Sequence, residues 1–220
     1  MGRIKLEPIK EKTTQEMVYR QIMEAILNGD IGDEEIFTEV QLAELLNTSR
    51  TPVRGAVQNL VKEGLLVPIP RKGLTIRKIT PDEQEEIFIL RSAIEVEVIK
   101  KLIEINPSPT KLQLLKNIVQ EQKKAMENDD NIRFIDLDQE FHLSLARLAN
   151  YKLMEQVLNN LHNLTQLMGL KAVSRKGRMK DVLMEHNQII KAIEDRDSGL
   201  ASKFILDHLR KTKETLKLCR

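Results

Sequence analysis

Four side chains in the second half of the sequence have the chemistry of transition-metal ligands. Asp138 and His142 are four residues apart, so on a helix both side chains lie on one face and can reach a single ion. His186 and His208 lie in two later segments with helical periodicity. Imidazole and carboxylate suit Zn, Ni, Mn or Fe, and geometry and availability select among these metals. The spacing alone is also typical of histidines that pack in a core or lie on a surface, so both interpretations remain open.

A second set of side chains, in the first third of the sequence, has the chemistry of a DNA-binding surface. Seven Lys or Arg residues and a single acid, Glu63, lie between Asn47 and Lys78, although the formal net charge of the whole chain is only +2. A local excess of basic residues is what a surface facing phosphates needs. A solvated charged surface would have the same composition, so charge alone does not decide between the two.

Helical spacing places part of this basic set on one face. Arg50 and Arg54 are four residues apart and Gln58 follows one turn later, whereas apolar residues occupy the opposite face. In a helix-turn-helix protein the second helix lies in the major groove, where arginine can donate two parallel hydrogen bonds to guanine. We therefore expect this face to read bases. We expect phosphate or backbone contacts from the start of the helix and from the basic turn that follows it, at Thr48, Ser49, Thr51, Arg71, Lys72 and Gly73.

The segments around these residues predict a winged helix-turn-helix. Apolar residues recur at helical spacing in three segments, Thr38 with Gln41 makes a capping box, and Gly64 ends the third helix. Two short extended segments, separated by the turn Pro70-Arg71-Lys72-Gly73, complete a hairpin wing. The predicted elements are helices at Gln15–Asn28 and Glu39–Leu46, a helix from Thr48 or Ser49 to Gly64, and strands at Leu65–Ile69 and Leu74–Ile79.

The rest of the chain has only helical periodicity and predicts an all-α domain. Thr80 can cap the next helix with Pro81 at its first position, which places the domain boundary there. The predicted fold class is mainly α, with a winged helix-turn-helix of three helices and a β-hairpin wing in residues 1–79 and a six-helix bundle in residues 80–220. The six predicted helices are Asp82–Ile105, Pro109–Glu127, Asn131–Leu148, Lys152–Leu170, Gly177–Glu194 and Ser198–Leu218.

Composition limits the kind of core and the compartment. Hydrophobic residues make up 41% of the chain but aromatic residues only 3%, with no Trp, so we expect aliphatic cores between helices. The single cysteine, Cys219, has no partner in the chain, which excludes an intrachain disulfide and favours a reducing cytoplasm. Residues 1–14 lack the apolar segment of a signal peptide, and no apolar run is long enough to span a membrane. We therefore expect a cytoplasmic protein without membrane contact.

Three segments of the N-terminal part resemble the winged helix-turn-helix of the GntR family of transcription regulators. They are residues 38–45 (TEVQLAEL), 49–54 (SRTPVR) and 60–65 (LVKEGL), followed by a Lys-Gly pair at 72–73. The resemblance implies that Arg50, Arg54 and Gly73 contact operator DNA. Val40 stands where some members have a DNA-contacting arginine, which implies that this contact is missing here. Gly55 stands where the family usually has an acid, and a glycine inside a helix costs up to about 1 kcal/mol relative to alanine.

Three segments of the C-terminal part are similar to the metal-ligand motifs of the FCD domain, the effector-binding half of the FadR-type branch of the same family. They are residues 138–142 (DQEFH), 185–193 (EHNQIIKAI) and 207–209 (DHL). The resemblance implies that Asp138, His142, His186 and His208 bind one divalent metal, with Zn, Ni, Mn and Fe all open. Six predicted helices rather than seven resemble the VanR-like subgroup. His162 matches no motif, and we expect it at a surface or an interface.

The same resemblance implies an effector and a mode of DNA binding. Relatives with this site bind small organic acids whose carboxylate completes the metal's coordination, and Arg91 matches an arginine that meets the effector. A guanidinium opposite a metal is a sound way to hold a carboxylate. The alternative for Arg91 is an ion pair with Glu95, one turn further on. The symmetry of helix-turn-helix proteins predicts a homodimer on a palindromic operator.

Three other functions compete with this interpretation. The main one is a metal-dependent enzyme, because an ion with open coordination positions can activate water. The sequence offers no additional base for such an enzyme, and an enzyme would have no use for a DNA-binding module. Two further alternatives keep the DNA binding but make the metal purely structural or make the metal itself the signal. The sequence therefore favours a ligand-responsive DNA-binding regulator that is not an enzyme.

Overall fold

The computed structural model describes residues 13–32 and 34–218, so the lone Cys219 lies outside the described residues. The chain divides after Lys78 into two compact units. The described elements of the first unit are α1 (Thr14–Asn28), α2 (Glu39–Leu45), α3 (Arg50–Lys62), β1 (Leu66–Ile69) and β2 (Gly73–Ile76). Those of the second unit are α4 (Pro81–Ile105), α5 (Pro109–Glu127), α6 (Asn131–Leu148), α7 (Lys152–Asn160), α8 (His162–Val173), α9 (Arg178–Glu194) and α10 (Ser198–Leu218).

Two helices of the first unit, α1 and α2, begin with a capping box. Thr13 forms a capping box with Glu16 at the start of α1, and Thr38 forms the predicted one with Gln41 at the start of α2. Each box satisfies backbone N–H groups that the first turn of a helix leaves unpaired. Both α1 and α2 pack on α3, and the core between them is apolar: Val18, Ile22, Phe37, Leu42, Val53, Val57 and Leu60.

The two strands form the predicted antiparallel hairpin, although β2 ends at Ile76, three residues earlier than predicted. The segment before α2 joins this hairpin, because Phe37 and Leu74 exchange backbone hydrogen bonds in an isolated bridge that the sequence did not predict. At Gly73 the φ angle is +139°, and a Cβ atom there would lie 2.4 Å from the carbonyl oxygen of Phe37. The backbone of the wing therefore requires glycine at this position.

Gly55, the unusual glycine of α3, has a structural reason in the packing of α1. A Cβ atom at this position would lie 2.4 Å from Oε1 of Gln15 on α1. The missing side chain therefore lets the Gln15 amide lie directly against α3. The amide is the end of a flexible side chain and could move away from a Cβ atom. Glycine therefore permits this close packing of Gln15, but the fold does not require glycine here.

The described part of the second unit is all-helical, as predicted, and begins at the predicted cap. Thr80 accepts a hydrogen bond from the backbone N–H of Glu83, with Pro81 in the first turn of α4. The main packing pairs are α5 with α6, α4 with α10, and α9 with both α5 and α10, while α6 also packs on α4 and α8. Among the described helices, none is long and apolar enough to cross a membrane.

The prediction of six helices in this unit was wrong by one, because the predicted helix Lys152–Leu170 is divided at Leu161. The first part, α7, packs on α6 and α4, whereas the second part, α8, packs on α6 and α10. The hydroxyl of Thr165 donates to the carbonyl oxygen of His162 in the first turn of α8. Neither Gly nor Pro marks the break, and the packing partner changes there from α4 to α10. The seven helical segments also remove the observation on which the resemblance to the VanR-like subgroup rested.

Candidate functional site

Four buried side chains meet inside the second unit. Asp138 and His142 come from α6, His186 from α9 and His208 from α10. One ligand atom of each side chain lies within 4.8 Å of the ligand atoms of the other three. The helices thus bring together all four residues that the sequence singled out as ligands, and none of the four is more than 8% exposed.

The Nε2 atoms of two histidines face the carboxylate of Asp138. Nε2 of His186 lies 3.4 Å from Oδ1, and Nε2 of His142 lies 3.8 Å from Oδ2. Both Nε2 atoms are buried, and neither has a hydrogen-bond partner within the described residues. A buried polar atom without a partner costs about 1–3 kcal/mol. Two such nitrogens converging on one carboxylate therefore indicate that the cluster accommodates a further group.

Each histidine of the cluster is held from behind through its other ring nitrogen, Nδ1. The three partners are side-chain oxygens on other helices, two of them carboxylate and one amide. The pairs are His142 with Glu95 at 2.6 Å, His186 with Gln122 at 2.9 Å and His208 with Glu185 at 2.8 Å. Nε2 is therefore the ring nitrogen left for the cluster in all three histidines, and in His142 and His186 it faces Asp138. This arrangement is typical of metal-bound histidines.

Buried arginines clamp the two glutamates. Nε of Arg91 donates to Glu95 at 2.7 Å, and both Nη atoms of Arg178 donate to Glu185 at 2.9–3.0 Å. Nζ of Lys211 lies 3.2 Å from Glu185. Burial alone would raise the pKa of each carboxyl group, but the charges and hydrogen bonds of the Arg and His partners outweigh it and lower both pKa values to about 2. Both carboxylates are therefore ionised acceptors at neutral pH.

Burial has the opposite consequence for the histidines. It lowers the pKa of His186 well below its usual value, and the neighbouring His208 and His142 lower it further. Burial also lowers the pKa of His208, although the hydrogen bond with Glu185 opposes this effect. The imidazoles of His186 and His208 are thus neutral at physiological pH, which is the form that binds a metal.

This set of donors fits a divalent transition metal. Three imidazoles and one carboxylate are ligands that Zn, Ni, Mn and Fe accept. Ligand atoms that lie about 2.1 Å from one ion are at most about 4.2 Å apart, so the cluster, with its 4.8 Å limit, needs only a small contraction. The ring of Phe141 stacks on His186 with 3.9 Å between centroids and gives the cluster an apolar wall.

Arg91 forms the ion pair that the sequence left open as an alternative, but this pair uses only part of its guanidinium. Nε donates to Glu95, whereas the buried Nη2 has no hydrogen-bond partner in residues 13–32 and 34–218. Through Glu95, Arg91 is connected to His142 of the cluster. Arg91 therefore holds Glu95, the partner of His142, and its Nη2 still has a hydrogen bond to donate.

In the first unit, α3 has one buried, apolar face and one exposed, polar face, as expected. Val53, Ala56, Val57 and Leu60 are buried on one side. The residues predicted to face DNA are exposed, except for the half-buried Thr48: Ser49, Arg50, Thr51, Arg54 and Gln58. Ser49 is the N-cap, yet its side chain makes no capping hydrogen bond in the described structure, so backbone N–H groups of the first turn remain available to an anion.

The wing presents two basic side chains at its tip. Arg71 and Lys72 are exposed, and Arg71 adopts a left-handed conformation with φ of +64°. The backbone N–H of Lys72 donates to the carbonyl of Ile69 and closes the turn. Gly73 lies beside this tip, but its contact with Phe37 already explains the glycine.

Comparison with known families decides what kind of protein carries these two sites. Residues 14–76 match the family described as bacterial regulatory proteins, gntR family, and residues 86–211 match the FCD domain. The FCD match alone covers more than half of the chain. The chain belongs to the GntR family, in the branch with a C-terminal FCD domain. This GntR-family protein is therefore a DNA-binding transcription regulator and not an enzyme.

Individual relatives agree with this assignment. The chain is 27% identical over 200 residues to the HTH-type transcriptional regulator YdhC of Bacillus subtilis (strain 168), covering 90% of this chain and 89% of the relative. It is 25% identical over 205 residues to the HTH-type transcriptional repressor RspR of Escherichia coli (strain K12), covering 93% and 90%. The solved structure of E. coli McbR/YncC has the same fold, with a TM-score of 0.72 at 18% identity over 94% of this chain and 99% of that one.

Sequence reasoning missed the residues of this GntR-family protein that hold the histidines from behind. Glu95 was considered only as a partner of Arg91, and Glu185 only as part of a motif. Gln122 offered a signal that could have been used, because it interrupts an apolar helix stripe that includes Val119 and Ala125. A polar residue at a core position of a helix predicts a buried hydrogen bond.

Proposed function

We propose that this regulator binds a palindromic operator as a homodimer, and that a small organic acid controls its DNA affinity by binding at a divalent metal in the FCD domain. The observation that carries the proposal is the buried cluster of Asp138 with three histidines, whose ligand atoms all lie within 4.8 Å of one another. Its donors suit Zn, Ni, Mn or Fe. When bound, the metal would supply a Lewis-acidic cation with coordination positions left for a carboxylate.

Charge in and around the cluster supports an anionic effector. The ion pairs of Arg91 with Glu95 and of Arg178 with Glu185 are each neutral. Asp138 would cancel only one of the two charges of a divalent ion, and a histidine that binds a metal does so as neutral imidazole, so the loaded site would keep a net positive charge. An anion is the ligand that this charge attracts.

The free edge of Arg91 supports a carboxylate in particular. Its buried Nη2 has no hydrogen-bond partner among the described residues. A charged donor that is both buried and unpaired is costly, and a carboxylate oxygen would satisfy it. We infer that the acid contacts both the metal and Arg91, with Asp138 and the three histidines holding the metal.

Operator binding is assigned to α3 and the wing. The exposed face of α3 with Arg50, Arg54 and Gln58 suits base edges in the major groove. Its uncapped first turn, with Thr48, Ser49 and Thr51, suits phosphate, and so does the wing with Arg71, Lys72 and Gly73.

The homodimer is supported by apolar residues on two adjacent helices of the FCD domain. Ile89 and Leu90 on α4 and Leu153 and Val157 on α7 are exposed, and α4 contacts α7. Exposed apolar residues on neighbouring helices are typical of a protein–protein interface. A two-fold dimer formed here would present two copies of α3 to a two-fold symmetric DNA site.

A metabolite changes DNA affinity only if it binds two arrangements of the dimer unequally. Arg91 lies on α4, and only four residues, 77–80, connect β2 to α4 in sequence. A carboxylate shared by Arg91 and the metal would pull α4 towards the helices that carry the ligands. A coupling of about 1–3 kcal/mol is enough to change operator occupancy about tenfold or more.

Three measurements on one preparation test the proposal. Native mass spectrometry identifies the metal and any acid that copurify, and selection from a random DNA pool identifies the operator. Fluorescence anisotropy then measures operator affinity with metal held constant, while mono-, di- and tricarboxylic acids are added. The expected result is a symmetric operator whose affinity changes with at least one acid. An affinity that depends on the metal alone would indicate a metal sensor, and one that depends on neither would indicate a structural metal.

A further inference from the structure

We propose that Glu95, Gln122 and Glu185 are positioning residues that fix the three histidines of the cluster in the Nδ1–H tautomer before any metal binds. A neutral imidazole carries its proton on either nitrogen, and only the unprotonated nitrogen can bind a metal. If Nδ1 keeps the proton in all three rings, every Nε2 lone pair faces the centre of the cluster. This inference rests on the proposed metal site and adds the reason why that site is ready to bind.

Glu95 determines the tautomer of His142. One carboxylate oxygen of Glu95 accepts a hydrogen bond from Nε of Arg91 at 2.7 Å, and the other lies 2.6 Å from Nδ1 of His142. A carboxylate paired with a buried guanidinium only accepts hydrogen bonds. The proton in the short contact with His142 must therefore be on Nδ1.

Glu185 does the same for His208. Its carboxylate accepts hydrogen bonds from both Nη atoms of Arg178, and Nζ of Lys211 lies 3.2 Å away. The oxygen that faces His208 lies 2.8 Å from Nδ1. Two cations keep this carboxylate an acceptor, so Nδ1 of His208 is again the donor.

Gln122 determines the tautomer of His186 without a charge. A glutamine amide can present either a donor or an acceptor, so its orientation has to come from its other partner. Nε2 of Gln122 lies 3.4 Å from the carbonyl oxygen of Phe134, which only accepts. The amide oxygen is thereby left to face Nδ1 of His186, at 2.9 Å.

Three partners on different helices, α4, α5 and α9, each place the proton of a histidine on Nδ1. Because these partners are independent of one another, we regard this shared tautomer as a property of the site. A ring locked in the productive tautomer needs no proton shift or rotation when the metal arrives. Removing such a partner typically lowers metal affinity by about 10–100-fold.

Nitrogen NMR of the full-length protein, ¹⁵N-labelled at histidine and stripped of metal at pH 7.5, measures the tautomers directly. The expected result is that His142, His186 and His208 all have a protonated Nδ1 and an unprotonated Nε2. The signals of His162, which lies outside the cluster, serve as the reference for a histidine without these contacts. A protonated Nε2 in any of the three cluster histidines would overturn the proposal for that histidine.

A pair of matched variants tests the role of positioning. Gln122→Met removes the acceptor of His186 at similar volume and leaves no unpaired charge. Gln166→Met is the control for a Gln-to-Met change at a buried glutamine, since it removes a hydrogen bond that α8 donates to Asp136, outside the histidine contacts. We expect Gln122→Met to release the tautomer of His186 and to weaken Zn²⁺ binding about 10–100-fold, with Gln166→Met like wild type. An unchanged tautomer and Zn²⁺ affinity in Gln122→Met would overturn the proposal. Wild-type protein that binds none of Zn²⁺, Ni²⁺, Mn²⁺ or Fe²⁺ would instead contradict the proposed function, and the tautomers of the metal-free chain would still be measured.

Discussion

The carboxylate of Glu95 on α4 accepts a 2.6 Å hydrogen bond from Nδ1 of His142 on α6. The other oxygen of Glu95 accepts from Arg91 at 2.7 Å. A ligand that binds the guanidinium of Arg91 therefore also affects Glu95, the side chain that orients His142. Effector and metal binding share this one carboxylate, so we expect the two to be coupled energetically.

The first prediction uses this shared carboxylate to isolate the effector contact. Arg91→Ala would leave Glu95 buried without its cation and would disturb the metal site as well. Arg91→Lys keeps a positive charge for Glu95 but loses the free Nη2 edge. We expect Arg91→Lys to retain metal and operator binding. The concentration of the organic acid that changes DNA affinity should, however, be about tenfold higher or more than for wild type. Anisotropy titrations at constant metal measure this, and a wild-type response to the acid would contradict the contact.

The second prediction concerns the metal. His142→Ala and His186→Ala each remove one ligand, so we expect lower metal content by elemental mass spectrometry than in wild type. Metal that binds only the native state stabilises it by about 2.7 kcal/mol at a concentration 100 times the dissociation constant. Adding metal should therefore raise the melting temperature of wild type but have little effect on either variant.

His162→Ala is the matched control for the metal prediction, since it removes a histidine of the same unit that lies outside the cluster. This variant should keep wild-type metal content and the metal-dependent rise in melting temperature. Equal metal content in wild type and all three variants would contradict the proposed metal site.

Much of this architecture is predictable from local sequence signals. Capping residues such as Thr38 and Thr80 define helix starts, and the wing follows from two short extended segments on either side of a Pro-Arg-Lys-Gly turn. The four ligands followed from a family motif, because i,i+4 spacing alone is shared with ordinary core histidines. The break at Leu161 and the role of Gln122 could not be predicted in this way, since both depend on which helices become neighbours in the folded chain.

The third prediction tests the DNA-facing side of α3. Arg50→Ala or Arg54→Ala should each weaken operator binding by about 1–3 kcal/mol if that arginine reads a base. Lys72→Ala at the wing should weaken binding to all sequences alike and reduce its salt dependence. Anisotropy with the selected operator and a scrambled duplex, each at two salt concentrations, separates these outcomes.

Lys62→Ala is the control for α3, because it removes an exposed cation from the last turn of the same helix. We expect this variant to discriminate between the two duplexes like wild type. If Arg50→Ala and Arg54→Ala also bind the operator with unchanged affinity, then α3 is not the recognition helix.

The fourth prediction concerns the dimer. Leu153 on α7 is 78% exposed, and Leu153→Glu should place a charge in the proposed interface and shift the protein towards monomer. Leu45→Glu changes an equally exposed leucine of α2 in the DNA-binding domain and should leave the oligomeric state unchanged. Sedimentation velocity across a concentration series measures both, and a Leu153→Glu protein as dimeric as wild type would place the interface elsewhere.

The last prediction is the pH dependence of the metal-free protein. Burial lowers the pKa of His186 and His208 in the native state, whereas in the unfolded chain both titrate near a pKa of about 6.5. Below that pH the unfolded chain binds protons that the native state does not, so the free energy of unfolding must fall as pH decreases. Glu95 and Glu185, with pKa values of about 2, contribute a further loss only below the unfolded pKa of about 4.3. Urea unfolding in EDTA at pH 7.5, 6.5 and 5.5 should therefore show decreasing stability, and a constant or rising value over this range would contradict the neutral, buried histidines.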